Sequence, residues 1–282
     1  MHPALRLVRA GNVLVSFVGT LVGGLAAAGA GLVLGAPTWI AILLAAGSTA
    51  CVTASGNVLN DLGDQLSDRT NHPDRPLVTG QITPRGARRG VVGLLALSAA
   101  LIVPVVPGHL ALGAIWVVAI LTLLSYEFRG KALGLGGNLE VALLTGLVFL
   151  YGAAAVGPLL PVLPLVLMAF FATASREVIK DMEDAGGDVD RRTFPRSHGM
   201  AAATALARGF VGSAIVLSVL PLVILIPLDS IAGIMYILSV VAADALFVVS
   251  VAYLPERLHA EQSGSKLAMA VALLAFLALA FR

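Results

Sequence analysis

Nine apolar runs, each about 20 residues long, fill most of this 282-residue chain. An apolar helix of that length crosses the ~30 Å hydrocarbon core of a bilayer. Inside a bilayer the backbone must satisfy its own hydrogen bonds, which only helices and closed barrels do. We place the runs at residues 11–32, 38–60, 90–106, 109–126, 138–156, 158–176, 203–227, 230–254 and 265–281. The sequence therefore predicts an all-α, polytopic membrane protein with nine transmembrane helices.

The composition excludes most soluble protein classes. Hydrophobic residues make up 58% of the chain and charged residues only 12%, about half the charged fraction of a soluble globular protein. The net charge of +2 comes from 18 basic and 16 acidic residues, a balance too even to indicate a nucleic-acid partner. Cys51 is the single cysteine, so no intramolecular disulfide can form. The informative question is where the few charges lie.

The basic residues lie almost entirely on one side of the predicted spans. Every lysine and arginine except Arg282 falls in segments, or at helix ends, on the same side as the N-terminus. Because cytoplasmic loops are enriched in Lys and Arg, that side is predicted to be cytoplasmic. An odd number of spans then places the N-terminus inside and the C-terminus outside. We expect a multi-pass protein of the cell membrane whose active site faces the cytoplasm.

Two acidic clusters follow the second and sixth apolar runs. Both contain the pattern Asp-x-x-Asp-x-x-x-Asp, and residues spaced i, i+3 and i+7 lie on one stripe of a helix. Three carboxylates that project together repel one another and require a cation. Because no His or Cys stands beside them, a hard ion such as Mg²⁺ is favoured over zinc. The candidate metal ligands are Asn60, Asp61, Asp64, Asp68, Asp181, Asp184 and Asp188.

Basic residues flank both clusters. Magnesium in proteins is commonly held by one or two carboxylates together with substrate phosphates, so this combination is typical of a diphosphate site. Candidate phosphate ligands are Arg75, Lys131, Arg176 and Lys180. The alternative is a solvated salt-bridge network that only marks the ends of two helices. Ionisable clusters at a membrane are functional by default, which favours the diphosphate site.

Residues 60–80, NDLGDQLSDRTNHPDRPLVTG, resemble the first signature of the UbiA superfamily of intramembrane prenyltransferases. The second signature is matched by Asp181, Asp184 and Asp188, and further matches lie at Arg9, Asn12, Tyr126, Lys131 and Asn138. The resemblance covers essentially the whole chain. It implies a single prenyltransferase domain over residues 1–282, built as a bundle around a central cavity. Within the superfamily, residues 176–188 followed by 192–195 look most like the archaeal digeranylgeranylglyceryl phosphate synthases.

The resemblance also implies roles for individual residues. It implies two Mg²⁺ ions that bind the diphosphate of an isoprenyl donor, held by Asn60, Asp64 and Asp68 and by Asp181, Asp184 and Asp188. The residues implied to be catalytic are Asp64, Asp68, Asp181, Asp184 and Lys131. Those implied to bind substrate are Arg9, Asn12, Asn60, Arg69, Arg75, Tyr126, Lys131, Asn138 and Lys180. Of these, Arg9 or Arg69 would serve the phosphate of a glycerophosphate acceptor.

Three functions remain open at this point. The first is Mg-dependent transfer of a geranylgeranyl group from its diphosphate to geranylgeranylglyceryl phosphate in archaeal ether-lipid biosynthesis. This reaction would take place in the membrane, in contact with membrane lipids. The second is prenylation of an aromatic acceptor such as 4-hydroxybenzoate, in quinone or haem biosynthesis, which uses the same diphosphate residues. The third, a transporter, is disfavoured because both clusters lie on one face of the membrane and not near its midplane.

Overall fold

The computed structural model describes residues 2–29, 35–130, 133–185 and 193–281, without the side chains of Ser67 and Asn71. All regular secondary structure in these ranges is helical, which confirms the predicted fold class. The α-helices are α1 (Pro3–Leu7), α2 (Ala10–Ala28), α3 (Ala36–Gly63), α4 (Gln65–Asn71), α5 (Pro84–Ile102), α6 (Leu110–Phe128), α7 (Leu135–Ala154), α8 (Leu163–Asp184), α9 (Phe194–His198), α10 (Met200–Ser218), α11 (Leu220–Ile224), α12 (Ile231–Ala252) and α13 (Leu258–Ala278).

Eight of the described helical segments are long and apolar enough to cross a membrane. They are α2, α3, α6, α7, α8, α10 together with α11, α12 and α13. The third predicted run, residues 90–106, corresponds to α5, which has 19 residues but carries Arg85, Arg88 and Arg89 in its first two turns. Helix α5 packs against α3 as part of the same bundle. The chain is therefore a multi-pass membrane protein with eight clear spans and one more polar helix of similar length.

The charged ends of the long helices meet at one end of the bundle. Arg9, just before α2, contacts Asp61 in the last turn of α3. Asn138, at the start of α7, contacts Asp181 near the end of α8. We call this end of the bundle the charged end. The opposite, apolar end contains a core in which the rings of Phe149 and Phe276 meet edge to face at 5.3 Å.

Two helices extend further at the charged end than their apolar runs predict. Helix α8 continues to Asp184, eight residues past the predicted end of the sixth run. Its last turns remain helical because Val178, Ile179 and Met182 are buried in a core shared with α10, α12 and α13. Helix α13 begins at Leu258, seven residues before the ninth run. Polar residues at these positions did not end the helices, since one apolar face of each still packs against its neighbours.

Glycines allow α2 and α7 to pack closely against each other. A Cβ atom at Gly23 would lie 2.7 Å from Cα of Phe149, and one at Gly152 would lie 2.8 Å from the backbone nitrogen of Gly24. Real Cβ atoms do not approach backbone atoms so closely, so both positions require glycine. This contact between small residues is typical of helix packing in membranes, and it fixes the position of α7, which carries Asn138 at its start.

Candidate active site

A cavity of about 750 Å³ lies inside the bundle and is lined mainly by α2, α3, α6, α7, α8, α12 and α13. Near the charged end its wall contains polar side chains such as Asn12, Asn60 and Lys180. Toward the apolar end the wall consists of side chains such as Leu147 and Phe276. The cavity thus joins a polar mouth to an apolar chamber, as expected for a site that binds an amphipathic ligand.

Asp61 is buried between two arginines, with 3% of its surface exposed. Arg9 Nη2 donates to Asp61 Oδ1 at 2.6 Å, and Arg75 Nη1 donates to the same oxygen at 3.1 Å. The same Nη1 atom also donates to Asp68 Oδ2, and Asp68 is 4% exposed. Arg75 lies in the segment that follows α4, so this segment folds back and joins two carboxylates of the first acidic cluster.

The helix that carries the first cluster is interrupted at Asp64. Helix α3 ends at Gly63 and α4 begins at Gln65, while Asp64 itself has φ −94° and ψ 11°. The expectation of one continuous helical stripe is therefore wrong, since Gly63 and Asp64 are both weak helix formers. Asp61 and Asp68 still converge, because both bind Arg75. The pKa of Asp68 is raised, mainly by burial; Arg75 opposes this shift, and the charges of Asp61 and Asp64 add to it.

The second acidic cluster lies on the last turns of α8. Asn138 Nδ2 donates to Asp181 Oδ2 at 2.8 Å, so Asn138 orients this carboxylate toward the start of α7. Asp184, one turn further along, is exposed. Within the described residues, the second cluster thus presents one oriented and one exposed carboxylate at the charged end.

Two cations of α8 share a buried acid that the sequence analysis did not single out. Glu177 is 6% exposed; Arg176 Nη1 lies 2.6 Å from its Oε1, and Lys180 Nζ lies 3.6 Å from its Oε2. All three residues line the cavity. The signal in the sequence was the position of Glu177 three residues before Lys180, a spacing that places these two charges on one face of a helix.

The other predicted site residues fall into three groups. Asn12, Asn60 and Tyr126 line the cavity. Arg69 is exposed on α4 and is not among the residues that line the cavity. The predicted ligands Lys131 and Asp188 lie outside the described residues.

The donor atoms at the charged end suit a hard divalent ion. In the described part of the chain, no three His, Cys, Asp or Glu side chains converge into one metal cluster. The acids form two groups instead, one around the junction of α3 and α4 and one at the end of α8. Magnesium usually takes one or two carboxylates and fills its octahedral shell with phosphate oxygens and water. Two separate, incomplete groups of oxygen donors fit that preference.

The neighbouring helices α2 and α13 both contribute exposed residues to the cavity wall. At the apolar end, Val22 and Ala26 of α2 pack with Phe276 of α13 in one core. Nearer the charged end, Val15 of α2 lines the cavity although it is 64% exposed. Lys266 of α13 likewise lines the cavity and is exposed. The cavity therefore reaches the lipid-facing surface between the first and last spans.

Comparisons with known proteins agree with this geometry. The model of the UbiA prenyltransferase family matches residues 16–279. The digeranylgeranylglyceryl phosphate synthase of Haloquadratum walsbyi is 36% identical over 279 residues, which cover 97% of this chain and 92% of that protein. The solved structure of a digeranylgeranylglyceryl phosphate synthase in membranes gives a TM-score of 0.78 at 29% identity, covering 99% of this chain and 97% of that one.

A second solved structure extends the agreement in fold. A UbiA homologue from Archaeoglobus fulgidus, bound to GPP and Mg²⁺, gives a TM-score of 0.69 at 20% identity, with 97% of this chain and 99% of that one covered. The family match spans nearly the whole chain, including both acidic clusters and the helices that line the cavity. The chain therefore belongs to the UbiA prenyltransferase family, as its two signatures predicted.

Proposed function

We propose that this protein transfers a geranylgeranyl group from its diphosphate to geranylgeranylglyceryl phosphate, in archaeal ether-lipid biosynthesis. The observation that carries the proposal is the 36% identity, along 97% of the chain, with an enzyme named for that product. The cavity supports it, because a polar mouth and an apolar chamber suit substrates that combine phosphates with isoprenoid tails.

We propose a diphosphate site with two divalent ions at the charged end. The Archaeoglobus relative was solved with GPP and Mg²⁺, and the oxygen donors here suit that ion. One ion would be held by Asn60, Asp64 and Asp68, and the other by Asp181, Asp184 and Asp188. Bound there, Mg²⁺ supplies positive charge that stabilises the leaving diphosphate.

The basic side chains of the mouth bind the same diphosphate. Arg176 and Lys180 line the cavity next to Asp181 and can donate charge-assisted hydrogen bonds to phosphate oxygens. Glu177 holds these two side chains in place before substrate binds. In this proposal Lys131 adds a further cation, and Arg75 keeps Asp61 and Asp68 together.

The apolar chamber protects the reacting carbon from water. An allylic cation forms as the bond between carbon and diphosphate oxygen breaks, and water would capture it. Side chains such as Leu147, Phe149 and Phe276 line the chamber and exclude water, and aromatic faces also stabilise positive charge. The acceptor hydroxyl oxygen then forms the ether bond, and its proton and the diphosphate are released.

We also propose that the charged end faces the cytoplasm. The basic residues collect at that end, as the positive-inside rule requires of cytoplasmic segments. The N-terminus is then inside, the C-terminus is outside, and the site receives soluble Mg²⁺ from the cytoplasm. Labelling by an impermeant reagent in intact cells tests this orientation, with single cysteines introduced at Leu5 and at Phe281, both exposed, in a chain that carries Cys51→Ser. Only the cysteine at position 281 is expected to react, and reaction at position 5 instead would refute the orientation.

An acceptor competition tests the reaction. Purified protein with Mg²⁺ and labelled geranylgeranyl diphosphate is offered geranylgeranylglyceryl phosphate and 4-hydroxybenzoate together. We expect label in the glycerophosphate product, none after Asp64→Ala or Asp181→Ala, and full activity in Arg89→Met, which changes an exposed arginine of α5. Label in the aromatic acid would assign the protein to quinone or haem biosynthesis. Transfer that survives both aspartate substitutions would refute the acidic site.

A further inference from the structure

Lys266 is a cation of the cavity wall that the reaction described above does not use. It lies about two turns inside α13, a helix apolar enough to cross the membrane. Its side chain is exposed at the opening between α2 and α13 and also lines the cavity. A lysine within a membrane span is costly and marks a functional site by default, so a partner for this charge is expected.

The other cations of the described cavity wall are paired with acids. Arg9 contacts Asp61, and Arg176 and Lys180 share Glu177. Lys266 contacts only a neutral group, since its Nζ lies 3.2 Å from Oε1 of Gln262, one turn nearer the charged end.

One acid that also lines the cavity, Asp244, does not form an ion pair with Lys266. Asp244 of α12 also lines the cavity within the membrane span, but its Oδ2 accepts a hydrogen bond from Ser218 Oγ at 2.8 Å. No ion pair joins Lys266 to an acid among the residues that the structure describes. Lys266 therefore brings an uncompensated positive charge to the opening of the cavity.

Helix geometry places Lys266 at the depth of the diphosphate residues. His259 Nδ1 of α13 contacts Glu183 Oε1 of α8 at 2.9 Å. Lys266 lies seven residues after His259 in α13, and Arg176 lies seven residues before Glu183 in α8. At ~1.5 Å per residue, each of these cations is about 10 Å from that contact along its own helix. The two cations are thus at similar depth, but Lys266 is on the wall that opens to lipid.

We propose that Lys266 binds the phosphate of the lipid acceptor as it enters between α2 and α13. This inference rests on the proposed function. The donor diphosphate and the acceptor phosphate are both anions and repel each other at short distance, so the acceptor needs a cation outside the diphosphate site. The lipid tail enters through the opening and the phosphate meets Lys266, while an acceptor without a phosphate gains nothing from this lysine. Lys266 then selects phosphorylated acceptors.

Steady-state kinetics of Lys266→Met test the inference. The wild type, Lys266→Met, Lys266→Arg and the control Arg89→Met are compared in detergent free of phospholipid. KM is measured for geranylgeranyl diphosphate, for geranylgeranylglyceryl phosphate, and for geranylgeranylglycerol, which lacks the phosphate. We expect Lys266→Met to raise KM for the phosphorylated acceptor about tenfold, with little change in kcat, because a charge-assisted contact made before the reaction is lost. KM for the donor and for the unphosphorylated acceptor is expected to stay the same.

The outcomes separate the inference from the proposed function. A KM that changes equally for both acceptors, or for neither, would show that Lys266 supports only the helix or contacts bilayer phosphates, and would overturn the inference. A wild-type protein that alkylates neither glycerol lipid would overturn the proposed function instead. If Lys266→Met does not fold, Lys266→Gln decides, since it keeps a long polar side chain but removes the charge: loss of the preference for the phosphorylated acceptor supports the inference, and retained preference refutes it.

Discussion

Replacement of Arg75 by methionine tests whether this residue holds the first acidic cluster together. The Nη1 atom of Arg75 binds both Asp61, which is 3% exposed, and Asp68, which is 4% exposed. Methionine keeps an apolar stem and removes the charge. Asp61 retains Arg9 at 2.6 Å, whereas Asp68 loses its one cationic contact among the described residues.

The expected loss of stability follows from this asymmetry. Removing one partner of a buried ion pair typically costs 3–5 kcal/mol, because the other charge remains buried. The Arg75 side chain is 22% exposed and Asp68 can take up a proton, so we expect about 2–3 kcal/mol. At roughly 2–3 °C per kcal/mol for a chain of this size, the midpoint of thermal unfolding falls by about 4–9 °C.

Thermal unfolding in detergent, with and without Mg²⁺, measures this effect. In EDTA, Arg75→Met is expected to unfold at a lower temperature than the wild type, and the exposed control Arg89→Met at the same temperature. Added Mg²⁺ should return more stability to Arg75→Met than to the wild type, because the ion supplies the missing positive charge. Equal midpoints in EDTA would refute the role of Arg75, and a loss that Mg²⁺ does not reduce would refute a metal site at this cluster.

Three further predictions concern the second cluster, the packing of the bundle and the pH dependence. Asn138→Ala removes the hydrogen bond to Asp181, so the Mg²⁺ concentration for half-maximal activity is expected to rise about tenfold or more; an unchanged requirement contradicts this. Gly23→Leu is expected to give no folded protein in size-exclusion chromatography, because even a Cβ atom at this position would collide with the backbone of α7. The control Gly93→Leu should fold, because a Cβ atom there has no neighbouring atom within 4 Å. Because the pKa of Asp68 is raised, this carboxyl stays protonated to higher pH than an ordinary aspartate. The Mg²⁺ concentration for half-maximal activity should therefore increase as the pH falls toward the raised pKa of Asp68, and a requirement that does not change as the pH falls would remove Asp68 from the metal site.

The sequence alone was enough to predict the membrane fold and the region of the site. An apolar run of about 20 residues has no alternative to a helix in lipid, so composition and run length decided the architecture. Along the chain, connections that contain basic residues alternate with connections that contain none. This alternation predicted that both acidic clusters lie at the same end of the bundle. Asn12, Asn60 and Lys180, which the sequence analysis predicts to bind substrate, all line one cavity, because they lie at the charged ends of their helices.

Which charges pair was decided only by the tertiary structure. Arg9 and Asp61 are 52 positions apart, and Asn138 and Asp181 are 43 apart. Helical periodicity relates residues three or four positions apart and carries no information about partners at such separations, which depend on the helices that pack together. Lys266 shows the same limit. In the sequence it begins an apolar run and resembles an interfacial lysine. Packing of α13 against α12 extends the helix back to Leu258, and this places the lysine in the wall of the cavity.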